Sequence, residues 1–272
     1  MKTTVFSRFR DLIHQQSGID LVQGKETLLQ SRISKRMRRL GLQQAEAYLD
    51  HISQDRTGQE MIELLDAIST NVTYFFREPD HFDQLAAALG RWTAAGQTRF
   101  RIWSAACSYG QEPYTIAMTA QETFRQLGVG RTDLGILATD ISTKVLAAAS
   151  AGAYSSSDLE KVPLNCRDRY FQKIDMDGQR KFQVLPPLRN QVTFRRLNLS
   201  RPPFPMRGPL DAVFCRNVMI YFDAQTRQNL VREIERLLRP GGLLMIGHAE
   251  SLMGLQTGLV AISPSVYQKV GP

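Results

Sequence analysis

The chain has 272 residues, of which 43% are hydrophobic and 22% charged, and carries a formal net charge of +8. That balance fits a soluble globular protein and suggests an anionic partner. No run of 18 apolar residues occurs, so no membrane span and no direct membrane insertion are expected. The amino-terminal stretch MKTTVFSRFRDLIHQQ is broken by Arg8, Arg10 and Asp11, which makes it an amphipathic helix rather than a signal peptide. Cys107, Cys166 and Cys215 have no paired metal spacing, and their odd number argues against a disulfide framework. His14, His51, His81 and His248 are scattered along the chain, so no metal site is expected. Free cysteines point to the cytoplasm.

The first 70 residues read as helices only. Segments near 4–16, 25–40, 44–54 and 58–69 have helical spacing, with turns near Gly18, Gly24, Gly41 and Gly58. In the second segment, Arg32, Lys35, Arg36 and Arg39 fall on one face, and Leu29, Ile33, Met37 and Leu40 on a neighbouring one. Such a basic face is a solvated bundle surface, a nucleic-acid contact or a dock for an acidic protein helix. Residues 70–82 read as a linker carrying Asn71, Thr73, Arg77 and Glu78, at the kind of junction where ligand clefts form.

From residue 99 onward strands alternate with helices, as a parallel sheet requires. RFRIWS (99–104) alternates as a strand, a small-residue loop runs to Gly110, and a helix follows from about Gln111 to Leu127 with Pro113 in its first turn. The unit resembles a nucleotide-binding turn, though only Gly110 of the usual glycines is present and no P-loop motif occurs. Glu112, in the first helical turn, would repel a pyrophosphate; it suits a ligand's ammonium group or simply the helix dipole. LGILATD (134–140) is a second strand ending in Asp140, placed to take both hydroxyls of a ribose or to start the next helix.

Residues 170–194 contain two short β-like runs around a turn at Asp177-Gly178, with Gln191 to Arg195 as a third strand, so a small antiparallel unit at about 168–196 is expected. DAVFCRNVMIYF (211–222) is a core strand that ends by delivering Arg216 and Asn217, the way an open α/β sheet builds a ligand crevice. The last strands are expected at 242–247, after the Pro240-Gly241-Gly242 turn, and as an antiparallel pair near 258–270.

The blocks TNVTYFFRE (70–78), WSAACSYGQEPYTIA (103–117), ATDIS (138–142), NL (198–199) and FCRNVMIYF (214–222) together resemble the CheR-type chemotaxis receptor methyltransferases, in that family's order and over nearly the whole chain. The resemblance implies an α/β fold: a Rossmann-like class I methyltransferase domain (76–272) with a small antiparallel β insertion, preceded by an all-α domain (1–75). It implies a cytoplasmic enzyme, recruited to membrane receptor arrays, that moves a methyl group from S-adenosylmethionine to glutamate side chains of chemoreceptors. The products would be glutamate methyl esters and S-adenosylhomocysteine. It places Asn71, Thr73, Arg77, Glu112, Asp140, Asn198, Leu199, Arg216 and Asn217 on the cofactor, with Arg77 on the methionine carboxylate. It favours an acidic receptor helix as the partner of Arg32, Lys35, Arg36 and Arg39. It also implies a substrate-side arginine, for which Arg91, Arg99 and Arg101 are candidates. In some members the antiparallel unit grips a short C-terminal receptor peptide as an added strand; here that would be 170–194.

The chemistry asks little of the protein. A glutamate, with a reference pKa of about 4.3, is an anion at neutral pH and needs no general base. Positioning and exclusion of water remain, and Tyr221 is the candidate to orient the incoming carboxylate. Two alternatives stand beside this reading. A nucleic-acid methyltransferase would suit the basic charge, but Arg201-Pro202-Pro203-Phe204 has the wrong first residue for an amino-methylating motif. A non-catalytic module that keeps the cofactor fold is disfavoured by the intact set Glu112, Asp140, Asn198 and Arg216-Asn217.

Overall fold

A computed structural model describes residues 3–20, 26–130, 132–176 and 178–271. The chain opens with four helices: α1 (Thr3–Ser17), α2 (Glu26–Arg39), α3 (Ala45–Gln54) and α4 (Gln59–Ile68). Each places its apolar residues three or four apart, so each has one face to bury. Phe9 and Ile13 of α1, Leu29, Ile33 and Met37 of α2, Tyr48, Leu49 and Ile52 of α3 and Leu64 and Leu65 of α4 close into one core. Gly24, read as a turn, lies outside the described residues.

A fifth helix, α5 (Asp80–Ala94), follows where the sequence reading assigned no element. Phe82, Leu85, Ala88 and Leu89 give it a buried face in the core that also holds the helix α6 (Gln111–Gln126). The remaining elements are β1 (Arg99–Ser104), β2 (Asp133–Asp140), α7 (Thr143–Ala151), β3 (Ala153–Tyr154), α8 (Leu164–Tyr170), β4 (Phe171–Met176), β5 (Gln179–Val184), α9 (Pro186–Arg189), β6 (Val192–Arg196), β7 (Leu210–Cys215), α10 (Ala224–Leu237), β8 (Leu238–Ile246), β9 (Leu259–Ser263) and β10 (Val266–Lys269).

Seven strands form the main sheet in the order β6-β2-β1-β7-β8-β10-β9. β6, β2, β1, β7 and β8 run parallel, and β10 and β9 close the edge antiparallel. β7 is buried along its whole length because it feeds two cores: Ala212 and Phe214 face one, Val213 and Cys215 the other. That explains its apolar run from Ala212 to Cys215. The chain builds outward from β1 through β2 to β6, then crosses back to place β7 on the other side of β1. Beyond the carboxyl ends of β1 and β7 the connections diverge, and a crevice opens there.

A second sheet, β3-β5-β4, is antiparallel and three-stranded. Its third strand is β3, not the expected 191–195. Residues 192–196 form β6 instead, paired in parallel with β2 from Ile136↔Val192 to Asp140↔Arg196. The hairpin turn carries Gly178 at φ +69, while Asp177 lies outside the described residues. β8 begins at Leu238, four residues before the expected start, because a register shift opposite Leu210/Ala212 lets the ladder run through Pro240-Gly241-Gly242. Among the described residues no helix is long and apolar enough to cross a membrane.

Candidate active site

A cavity of about 220 Å³ occupies the crevice. Ala105 and Ser108 after β1, Asp140 at the end of β2 and Arg216 and Asn217 after β7 form its floor. Asn71, Thr73 and Arg77, from the segment between α4 and α5, form one wall. Asn198, Leu199 and Tyr221 line it as well, as does Glu112.

Three features of the backbone shape this crevice. Gly110 sits at φ +89, and a Cβ there would come within 2.8 Å of Ala149 Cβ, so the loop before α6 closes against α7 only as glycine. Phe76 and Glu78 hold positive φ angles of 56° and 55°. A bulky residue in that region is a strained outlier, and such strain persists where surrounding structure enforces it. Here it turns Glu78 back toward the end of β7.

Arg216 is the electrostatic centre. Its side chain is 1% exposed and lies 3.0 Å from Glu78 Oε2 and 3.1 Å from Glu112 Oε2. It also donates to the Arg77 carbonyl. Ser104 Oγ donates to the other oxygen of Glu112 at 2.7 Å, and Asn217 Nδ2 to Glu78 Oε1 at 3.2 Å. Burial pushes the Glu112 carboxyl up, with Arg216 opposing. Burial also lifts Glu78, but Arg216 and the Asn217 amide outweigh it and leave that carboxyl below its ordinary value. Arg77 Nε lies 3.9 Å from Glu78 Oε1, so Glu78 is shared by two guanidinium groups, while Glu112 faces Arg216 and presents its carboxylate at the cavity, where it suits a ligand cation.

Asp140 is also buried, which raises its carboxyl despite backbone donors. Its two oxygens accept one N–H each, from Ser108 at 2.9 Å and Ser142 at 3.0 Å. Each oxygen keeps a lone pair for a further donor, so a pair of hydroxyls fits. Asn198 is partly spent inside the protein: its Nδ2 donates to the Gln16 carbonyl and its Oδ1 accepts from Ser200. Asp20 N donates to the Tyr221 carbonyl at 2.7 Å, and Ile19 bridges Phe222. The residues after α1 are thus strapped to the segment that carries Tyr221.

The structure redistributes the basic face of α2. Arg32 lines the cavity, and its Nη1 donates to the carbonyls of Ala67, Ile68 and Ser69 at the end of α4. Arg36 is clamped by Glu60 at 2.6 Å and Glu63 at 3.0 Å, with Tyr48 donating to the same Glu60. Both therefore join α2 to α4, correcting their placement on an open docking face. Lys35 and Arg39 are exposed and do not line the cavity. None of the three candidate substrate arginines reaches the crevice. Arg99 and Arg101 sit at the amino end of β1 on Asp133, and exposed Arg91 lies in the last turn of α5.

Sequence reading missed Glu78 as a site residue, although it stands beside Arg77. It also treated the histidines as scattered, whereas the rings of His81 and His248 meet at 5.1 Å. Glu78, His81 and His248 bring ligand atoms within 4.8 Å of one another. The Arg216 guanidinium already occupies Glu78 Oε2, and its charge opposes a cation there.

Against this geometry, the comparisons are decisive. The family model for "CheR methyltransferase, SAM binding domain" matches residues 71–267, and that for "CheR methyltransferase, all-alpha domain" matches residues 4–69. The chain belongs to the CheR methyltransferase family. It is 38% identical over 268 residues to a chemotaxis protein methyltransferase of Borreliella burgdorferi, covering 97% of this chain and 93% of the relative. It is 41% identical to a probable chemotaxis protein methyltransferase of Rhizobium etli (89% and 91% covered). It is 37% identical to the chemotaxis protein methyltransferase of Escherichia coli (96% and 89%). This member of the CheR family is an S-adenosylmethionine-dependent methyltransferase with a Rossmann-like domain and an all-α domain. The cavity suits that cofactor: its lining holds the Glu112 carboxylate for an ammonium group, Asp140 for a diol and Arg77 for a carboxylate.

Proposed function

We propose that this enzyme methylates glutamate side chains on the cytoplasmic helices of chemoreceptors. The observation that carries the reading is the buried Glu78–Arg216–Glu112 cluster beside Asp140, in a cavity walled by Arg77 and Tyr221. The cofactor supplies an electrophilic methyl group. Glu112 takes its ammonium, Asp140 its ribose hydroxyls and Arg77 its carboxylate, while Asn71, Thr73, Asn198, Leu199, Arg216 and Asn217 complete the pocket. Tyr221 orients the receptor carboxylate, and no base is required because that carboxylate is already an anion.

Substrate recognition rests on surfaces outside the cavity. Lys35 and Arg39, exposed on α2, meet an acidic receptor helix, while Arg32 and Arg36 hold α2 in place. β4 is an edge strand of the small sheet, which suits addition of a C-terminal receptor peptide as a further strand. Recruitment to receptor arrays from the cytoplasm follows from these contacts. The domain boundary falls at 75/76, and the hairpin insertion is the β4–β5 pair that precedes β6.

Radiolabelled methyl transfer tests the reading. Receptor cytoplasmic fragments should take up base-labile label, as glutamate methyl esters do, and RNA should take up none. Label on RNA alone would replace this function by the nucleic-acid alternative.

A further inference from the structure

Glu250 lies in the turn after β8, outside the residues that line the cavity. Its carboxylate nevertheless faces the segment that carries Asn217 and Tyr221. One oxygen, Oε2, accepts the backbone N–H of Asn217 at 2.9 Å and that of Gly247 at 2.6 Å. The other, Oε1, accepts the N–H of Met219 at 2.7 Å and that of Ile220 at 3.3 Å. The Glu250 N–H donates back to the Gly247 carbonyl at 2.9 Å, which fixes the turn itself.

The geometry around it is closely fitted. Asn217 holds a left-handed φ of 57°. Its side-chain amide packs over Gly247, where a Cβ would come within 2.3 Å of Asn217 Nδ2. That close approach lets the same amide reach Glu78 Oε1. A short loop in such a conformation cannot pair its own N–H groups in a ladder, so it needs an outside acceptor. An ionised carboxylate is acceptor-only, with two lone pairs on each oxygen, and can satisfy all of these donors together.

We propose that Glu250 is the positioning residue of the active site: it holds the 216–221 segment so that Asn217 meets the cofactor pocket and Tyr221 meets the incoming carboxylate. The inference rests on the proposed roles of those two residues. Core packing of Met219 anchors the middle of the segment, and the carboxylate adds the polar contacts that fix the backbone on either side, where Ile220 is 50% exposed.

The decisive variant is Glu250→Gln. It keeps size and shape but turns one acceptor oxygen into an NH2 group facing two N–H donors. S-adenosylhomocysteine affinity should fall about tenfold by calorimetry, the scale of one lost hydrogen bond to a charged group. kcat for receptor methylation should fall at least as much, while KM for the receptor fragment changes little; the thermal midpoint should fall as well, because two backbone donors lose their acceptor. Asn217→Ala should weaken the same affinity, and the double variant should lose no more than the worse single variant, because both act through one loop. Wild-type affinity and kcat in Glu250→Gln, or losses that multiply in the double variant, would overturn the proposal. Hydrogen exchange on the wild type needs no variant: the amides of Asn217, Met219 and Ile220 should be protected. Exchange at the rate of an open loop would also overturn it. The affinity arm does not depend on the methyl acceptor. If the wild type fails to methylate receptor fragments but Glu250→Gln still loses affinity, the error lies in the proposed substrate and the assignment of Glu250 stands.

Discussion

Arg216 Nη1 donates to Glu112 Oε2 across 3.1 Å, joining the end of β7 to the first turn of α6. The end of β7 and the helix that follows β1 are thereby tied beside the cavity. Arg216 divides its charge between Glu112 and Glu78, and Glu78 draws further on Arg77 at 3.9 Å.

That sharing predicts the behaviour of Glu112→Gln. Removing its negative charge leaves the ligand ammonium without its partner. S-adenosylhomocysteine should bind about ten- to a hundredfold more weakly, from the roughly 1.5–3 kcal/mol of a charged hydrogen bond. An analogue lacking the amino group should bind wild type and variant equally. Calorimetry with both ligands checks this, and a variant that loses affinity for both alike would detach Glu112 from the ammonium.

Asp140→Ala should act on binding and on stability together. Loss of the diol contacts should weaken S-adenosylhomocysteine at least about tenfold. Ser108 and Ser142 also lose their acceptor, which should lower unfolding free energy by about 1–3 kcal/mol for a buried unsatisfied donor. Denaturant titration and calorimetry measure the two effects separately. Unchanged affinity in the folded variant would remove Asp140 from the ribose.

On α2, neighbouring cations should give opposite results. Lys35→Glu with Arg39→Glu should depress receptor methylation and leave cofactor affinity and melting unchanged, since both side chains are exposed. Added salt should partly mimic the change, because exposed charges are screened within about 10 Å at 0.1 M. Arg36→Met should instead destabilise the helical domain by about 3–5 kcal/mol, because Glu60 is left buried without its partner. Full methylation by the double charge reversal would return the exposed edge of α2 to a plain solvated surface.

His81 predicts an acid-side loss of stability. Burial, reinforced by Arg216, holds its imidazole down at about 4, against the pull of Asp80 and Glu78. The neutral ring, with Nε2 2.9 Å from Ser265 Oγ, is the folded form. Its contribution is complete above the ordinary histidine value near 6.5 and is lost as pH falls through about 4. The loss should approach about 3 kcal/mol by linkage. Unfolding free energy measured from pH 7 to 4 should show this slope in the wild type, beyond any shared carboxylate effect, and not in His81→Gln. Parallel curves would show that His81 is not the titrating group.

Much of the architecture was legible in the sequence. The four N-terminal helices appear in the apolar spacing of residues such as Leu29, Ile33 and Met37, since a helix buries one face at a fixed period. β7 appears as the apolar run Ala212 to Cys215 because both of its faces are buried. Most of the cavity-lining residues lie within the quoted blocks, several of them directly after strand ends, but Ile19, Asp20, Leu29 and Arg32 of the helical domain do not. α5 was passed over, although Phe82, Leu85 and Leu89 have the same helical spacing.

Tertiary structure decided what each face and each charge meets. Residues 192–196 have the pattern of a strand, but only the chain path assigns them to β2 rather than to the hairpin. Arg32 and Arg36 look like free cations on a basic stripe until α4 brings up its carbonyls and Glu60. Glu78 and Arg216 are 138 positions apart, and His81 and His248 are 167 apart, yet each pair meets at the end of the sheet. Periodicity in a sequence records that a side is buried or wet because the backbone repeat is local. It carries no record of the partner, because long-range pairing is set by how the strands are ordered and by which polar groups must be satisfied once water is excluded.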